Sequence, residues 1–352
     1  MAELKKYELV ANSLSEDIAS GCYTGGAFLP TEEKLTKMYN VSRQTVRKAL
    51  SILESRDIIE KKQGSGSVVK IKNPGAGSGK VAVIVTYIDD YIFPGQLRGV
   101  EEVLSRNKYS AVLYATGNRI CSERQILEGI LEDPVAGILV EGTKTAFPNP
   151  NICLYEKLEK RGIPIVFFNS FYPGLKGTLY VCADNRRGGY ELVNYLLNKG
   201  HKRIAGIFKA DDIQGHERYS GYISAMFDNK LYVSDSKTIW YTTETKDRLF
   251  DGTENILSSI GDATAVVCYN DEIAFMLIKY LTACGKKVPE DIAVVSFDNS
   301  SLSEMSPVRI TSLSYDKMNI GTIAAAKLVD ILDGRKTCSE IIPWKLAEKE
   351  SS

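Results

Sequence analysis

The chain of 352 residues has only two histidines, His201 and His216, too dispersed to found a metal centre. Its seven cysteines (Cys22, Cys121, Cys153, Cys182, Cys268, Cys284 and Cys338) include no CxxC pair. An odd, scattered set argues against a disulfide framework and reads as free thiols of a reducing cytoplasm. No apolar run approaches membrane-spanning length, and the charged N-terminus lacks the apolar core of a signal peptide. No membrane contact is therefore expected. Charge of one sign is missing as well: 44 Lys and Arg balance 44 Asp and Glu. Any affinity for nucleic acid must then come from a local patch. There is no solenoid-length repeat, nucleophile elbow or dinucleotide fingerprint. No cofactor and no catalytic residue is expected.

What is present is an ordinary globular composition, 44% hydrophobic and 25% charged, in a chain long enough for two or three structural units. One stretch breaks the charge balance. Residues 30–72 hold ten Lys or Arg against five Asp or Glu. Its pattern predicts helix, tight turn, second helix, then two short strands joined by a glycine-rich tip. Thr31 is placed to cap the first helix, with Glu32 and Glu33 complementing its positive end. Leu35 and Met38 are expected on its buried face and Asn40 at its stop. Ser42 caps the second helix, which buries Val46, Leu50 and Leu53 and presents Arg43, Gln44, Thr45 and Arg47 on its other face. Such a basic face is often merely solvated, but it also has the layout of a helix that enters the major groove. Lys61, Lys62 and Gln63 then lead into Gly64-Ser65-Gly66-Ser67, a tip whose backbone can approach phosphates closely. A preceding helix is predicted over 4–20, with Leu9, Val10, Leu14 and Ile18 as its apolar stripe.

LPTEEKL, VSRQTVRKAL and KKQGSGSVV, in this order and spacing, resemble the winged helix-turn-helix of the GntR family of bacterial transcription regulators over residues 4–70. The resemblance implies duplex operator DNA as a partner. It implies contacts from Thr31, Glu32, Ser42, Arg43, Gln44, Thr45 and Arg47, with Arg43 and Arg47 reading bases and phosphates. In the wing it implies Lys62, Gln63, Gly64 and Gly66, with Gln63 and Gly64 in the minor groove.

Residues 73–79, NPGAGSG, read as a flexible linker with no apolar anchor. The GSGK that ends it is no phosphate loop, because Pro74 and Val81 stand where that motif needs glycine and Ser or Thr. From Val81 onward short apolar runs alternate with amphipathic helices: VAVIV, YSAVLYAT, AGILVE, IPIVFFN, TLYVCAD, RIAGIF, TAVVCYN and IAVVSFD. These predict parallel strands covered on both faces by helices, in two doubly wound lobes. Polar residues gather at the strand ends: Asp89-Asp90-Tyr91, Glu141, Asn169, Asn270-Asp271 and Asp298. A set converging from both lobes is how a sugar cleft is built.

GIFKADD…RYSGY, CYNDEIA, VPEDIAVVSFDNS, ITSL and AAAKLVDIL resemble the effector domain of LacI-type repressors, which shares the periplasmic-binding-protein fold, over about residues 80–343. A GntR head on such a domain is similar to the arabinose-responsive repressors of Gram-positive bacteria. The resemblance implies a sugar effector, L-arabinose, contacted by Arg218, Asn270, Asp271 and Asp298. Tyr91 and Phe93 would offer ring faces, with Glu141, Asn169 and Tyr315 as further candidates. In one place the chain departs from the pattern: Lys349 stands where the terminal LacI-type strand carries arginine, so that strand is expected to fray or to be anchored differently.

The expected fold is α/β: a winged helix-turn-helix over 1–72, a linker over 73–79, and a two-lobed, parallel-sheet domain over 80–352 that senses sugar and forms a homodimer. The expected function is a cytoplasmic repressor released from its operator by sugar. Open alternatives are a different or phosphorylated sugar as effector, a sugar-modifying enzyme using Asp211-Asp212 or Asp89-Asp90, and an exported sugar carrier. Adjacent carboxylates usually point different ways, which weakens the enzyme; the absent signal peptide weakens the carrier.

Overall fold

The computed structural model describes residues 5–19, 22–23, 26–56, 58–62, 66–70, 75–88, 91–232, 234–251, 256–315 and 317–352. At the N-terminus, α1 (Lys6–Ala19), α2 (Glu32–Tyr39) and α3 (Arg43–Ser55) precede a two-stranded wing, β1 (Ile59–Lys62) and β2 (Gly66–Val69). Thr31 and Ser42 accept hydrogen bonds from Lys34 N and Thr45 N, and Asn40 stops α2 at φ 47°. Val10, Leu14, Leu35, Val46, Leu50 and Leu53 form the core of this head. Two expected core positions are corrected: Leu9 is 52% and Met38 58% exposed. Leu9 lies about 100° round α1 from the buried Val10, and Tyr39 rather than Met38 packs beside Leu35 on the core.

The first lobe contains β3 (Lys80–Val85), α4 (Phe93–Arg106), β4 (Ser110–Ala115), α5 (Ile120–Glu132), β5 (Gly137–Val140), α6 (Ile152–Lys160), β6 (Ile165–Phe168) and β7 (Leu179–Ala183). The second contains α7 (Asn185–Asn198), β8 (Ile204–Lys209), α8 (Ile213–Asp228), β9 (Thr238–Tyr241), α9 (Ile256–Ile260), β10 (Ala265–Cys268), α10 (Asp271–Ala283), β11 (Ala293–Phe297), α11 (Ser301–Met305) and β12 (Thr311–Ser314). The chain then returns to the first lobe with α12 (Lys317–Leu332) and β13 (Glu340–Ile342), and to the second with β14 (Lys345–Ala347). Strand orders are β13-β7-β6-β5-β3-β4 and β14-β12-β11-β10-β8-β9. All pairs within these two sheets are parallel except β14 with β12. The chain thus passes between the lobes three times.

Alternation explains why these strands are apolar throughout. In β3, Val81, Val83 and Val85 pack under α4 and α12, while Ala82 and Ile84 pack under α5 and α6. The second lobe repeats this with Ala205 and Ile207 on one face and Ile204 and Phe208 on the other. The run containing β4 is an exception: it is an edge strand, and Leu113 is 44% exposed.

Two further expectations need correction. Of the linker, residues 71–74 lie outside the described residues, but Gly75 is buried, and a Cβ there would come 2.0 Å from the Val135 carbonyl oxygen. Its second half is therefore seated on the effector domain as a turn, with Ser78 N donating to Gly75 O at 2.9 Å. Of the two expectations for the terminal strand, fraying is not met, and the strand is anchored instead. β14 pairs with β12, and Thr311 N donates to Ser351 Oγ at 2.9 Å.

Candidate functional site

In the head, α3 presents Arg43, Gln44 and Arg47 to solvent, with both arginine side chains 67% exposed. Glu32, at the start of α2, accepts from Arg47 Nε at 2.9 and 3.1 Å and lies 3.9 Å from Arg43 Nε. One carboxylate thus orients both arginines across the helix-turn-helix. Thr45 is tied to Ser42 by side-chain and backbone bonds of 2.8 and 3.1 Å. Lys62 is exposed on the wing, 3.9 Å from Glu60, and Gly66 has a φ of 109° at the tip. Gln63 and Gly64 lie outside the described residues. The N-terminal turn of a helix, a bulk-free wing and exposed guanidinium groups lie within one small domain. Such a face suits a groove edge and its flanking phosphates.

The second site lies between the lobes, a cavity of about 290 Å³. Arg218 of α8 is 3% exposed and lies on the Phe297 and Tyr269 rings, 4.3 and 4.7 Å from their centroids. Its Nε donates to Asn185 Oδ1 at 3.0 Å, and another nitrogen donates to the Tyr269 carbonyl. Nη2 stands 3.7 Å from Asp298 Oδ1, a buried oxygen with no hydrogen-bond partner among the described residues. A residue so enclosed is no surface salt bridge. Asp298 also accepts from Tyr91 Oη across the cleft at 2.7 Å. A charged pair with spare acceptor capacity is suited to vicinal hydroxyls.

Opposite stands a second polar pole. Glu141 accepts from Thr86 N and Oγ1 at 3.1 and 2.6 Å, and from Asn169 Nδ2 at 3.4 Å. Burial pushes its carboxyl up to about 7, against the Thr86 bonds that favour the ion. Burial works against the charge of Lys209, but Asp212, Asp211 and Glu141 outweigh it and hold the ammonium above its ordinary range. Gln96 joins Asn169 by paired amide bonds of 2.8 and 2.9 Å and reaches Tyr315 Oη at 3.4 Å.

Of the sequence candidates, Phe93, Glu141, Asn169, Arg218, Asn270, Asp298 and Tyr315 line the cavity. Tyr91 is held beside it through its hydroxyl. Asp271 is corrected: it faces away, accepting from Ser300 Oγ and Ser312 Oγ at 2.7 Å and from Ser296, beneath the 298–300 turn. A carboxylate following an aspartate-like cap looks cleft-bound in sequence, but Asn270 uses its own side chain to cap α10 at Ile273 N. Lys209, Asp212, Gln214 and Tyr269 also line the cavity and were not singled out as sugar contacts. The strand-end rule applied to RIAGIFK would have found Lys209 and Asp212. Asp211 and Asp212 point apart, to Thr243 N and to Thr145 Oγ1, which fits no acid–base pair. Asp89 and Asp90 lie outside the described residues.

The rim is closed by contacts between lobes. Asn118 donates to Thr243 Oγ1 at 2.6 Å, Lys144 pairs with Glu244 and lies 3.5 Å from Asp211, and Gln214 donates to the Asn169 carbonyl at 2.9 Å. Among the described residues no helix is long and apolar enough to cross a membrane, and no group of three or more His, Cys, Asp or Glu could hold a metal ion.

Residues 6–69 match the bacterial regulatory proteins of the gntR family, and residues 193–352 match the periplasmic binding protein-like domain. The arabinose metabolism transcriptional repressor of Halalkalibacterium halodurans is 37% identical over 92% of this chain and 88% of its own length. Its counterpart from Geobacillus stearothermophilus is 34% identical over 94% of this chain and 92% of its own. Among solved structures, a complex of the transcriptional regulator CelR with cellobiose superposes with a TM-score of 0.70 at 23% identity, covering 92% of this chain and 100% of that one. That last likeness is one of fold.

Proposed function

Because the chain belongs to the family of the arabinose metabolism transcriptional repressors, we propose that it acts in the cytoplasm as a homodimer and leaves its operator when L-arabinose enters the cleft. It is a sugar-responsive, DNA-binding repressor and not an enzyme. The observation that carries the finer reading is the cleft itself, small and polar at both poles, with an Asp298 oxygen beside Arg218 that accepts no hydrogen bond among the described residues. About 290 Å³ lies at the low end of small-molecule sites and suits a monosaccharide. Its charged lining is Glu141, Asp212, Asp247, Glu272 and Asp298 against Lys209, Arg218 and Lys246. Even with Glu141 partly protonated near neutral pH, the acidic groups outnumber the three basic ones, which disfavours a phosphate and favours a neutral sugar.

The head over 1–72 and the effector domain over 80–352 act as two units, joined by 73–79, whose second half rests on the effector domain. Two heads are invoked because one winged helix reads only a few base pairs. A sugar that favours the closed lobes over the DNA-competent arrangement lowers DNA affinity by the same factor that DNA lowers sugar affinity. A tenfold effect needs a differential of about 1.4 kcal/mol, one or two hydrogen bonds. The test is fluorescence anisotropy of a labelled operator duplex titrated with L-arabinose, D-ribose, D-xylose and arabinose 5-phosphate. Release by L-arabinose alone supports the assignment; release by the phosphate ester, or by no pentose, overturns it.

A further inference from the structure

Asp298 is aimed into the cleft by an unusual stretch of backbone. Its φ is +96° and that of Asn299 is +43°, two successive non-glycine residues in left-handed conformations. Such a turn is strained and persists only where its surroundings hold it. It is held from two sides. Beneath, Asn299 N donates to Ser312 Oγ at 3.0 Å and Ser300 Oγ to Asp271 at 2.7 Å. From the outside comes Lys349, 10% exposed, whose Nζ donates to Asn299 Oδ1 and Ser303 Oγ at 2.7 Å each and pairs with Glu304 at 2.6 Å. Lys349 is in turn fixed along β12, its backbone N donating to Thr311 Oγ1 at 2.9 Å, while Arg309 grips the neighbouring Glu350 at 3.0 and 2.7 Å. A solvated surface lysine would not find three acceptors while nine-tenths hidden. Lys349 does not line the cavity.

We propose that Lys349 is a positioning residue of the effector site: by clamping Asn299 it fixes the turn that presents Asp298, so the stretch after β14 sets sugar affinity without touching sugar. Resting on the sugar-cleft reading above, this predicts that Lys349→Met weakens L-arabinose binding about tenfold, the loss of roughly one charged hydrogen bond. Sugar-free operator affinity should be unchanged. Lys349→Arg should restore binding, and Lys349→Gln, which keeps a donor to Asn299, should fall between. In an Asp298→Ala background Lys349→Met should cost nothing further, since the lysine acts through Asp298.

Hydrogen exchange of the peptide spanning 298–303 tests the clamp without any sugar. It should quicken about tenfold in Lys349→Met and recover in Lys349→Arg, as expected where local opening sets exchange. Unchanged exchange overturns the proposal, and so does a loss of sugar affinity that adds to that of Asp298→Ala. Should the wild-type protein not bind L-arabinose, the arabinose reading fails and the exchange result alone decides the clamp.

Discussion

Arg218 was legible because its RYSGY neighbourhood carries a family pattern; its partners were not. Asn185, Tyr269 and Asp298 reach it from segments that only folding brings together. Replacing it with alanine removes charged bonds of about 1.5–3 kcal/mol. Arg218→Ala should therefore bind sugar about ten- to a hundredfold more weakly in calorimetric titration, with operator affinity retained. Wild-type sugar affinity in this variant would place Arg218 outside the site. Glu141 supplies a second test. Its folded value of about 7 exceeds the ordinary 4.5, so between those values the folded state holds more protons than the unfolded one. The contribution is fully present below about pH 4.5 and is lost as pH rises through 7, roughly 3 kcal/mol in all. Asp271, raised by burial to about 6, acts with the same sign. Denaturant titration at pH 5 and 8 should show Glu141→Gln losing less stability than wild type over that interval. Equal losses would mean Glu141 is not the group responsible.

At the scale of elements, α2, α3 and the wing follow from caps and spacing alone, since each element is short and its punctuation lies within it. Thr31, Asn40 and Ser42 do in the structure what their side chains dictate locally. What local pattern could not give was the edge position of β4, or the strand β9, because sheet order is decided by neighbours far along the chain. The functional split within the head is testable at this scale. Arg43, in the first turn of α3, should lose about 1–3 kcal/mol on the operator when changed to alanine, with relaxed base preference. Lys62→Ala, on β1, should weaken all duplexes alike and reduce the salt slope by about one. Anisotropy titrations across salt concentrations separate the two; a slope unchanged by either variant would remove the DNA role of this face.

For the whole molecule, the segment between head and effector domain rests on Val135 at Gly75. A side chain there cannot be accommodated without moving the backbone. Gly75→Val should leave sugar affinity alone but shrink the ratio of operator affinities measured without and with L-arabinose, because the seat through which lobe closure reaches the heads is displaced. A ratio equal to that of wild type would show that the seating carries no signal. Sedimentation of the operator complex tests the pairing of heads: two chains per site are expected, and one would exclude the homodimer.

The three passages between lobes also govern what a growing chain can do on the ribosome. Its head is contiguous and complete by Val69, whereas the first lobe waits for α12 and β13, more than 250 residues later. Throughout synthesis there is thus a finished DNA-reading end on an unfinished sensor. A polypeptide that stops short of Ile342 would carry the winged head while lacking both a strand of the first lobe and the finished domain through which two chains are proposed to pair. Prematurely ended products are for this reason expected to present single heads, each reading only a few base pairs, and so to fail as repressors.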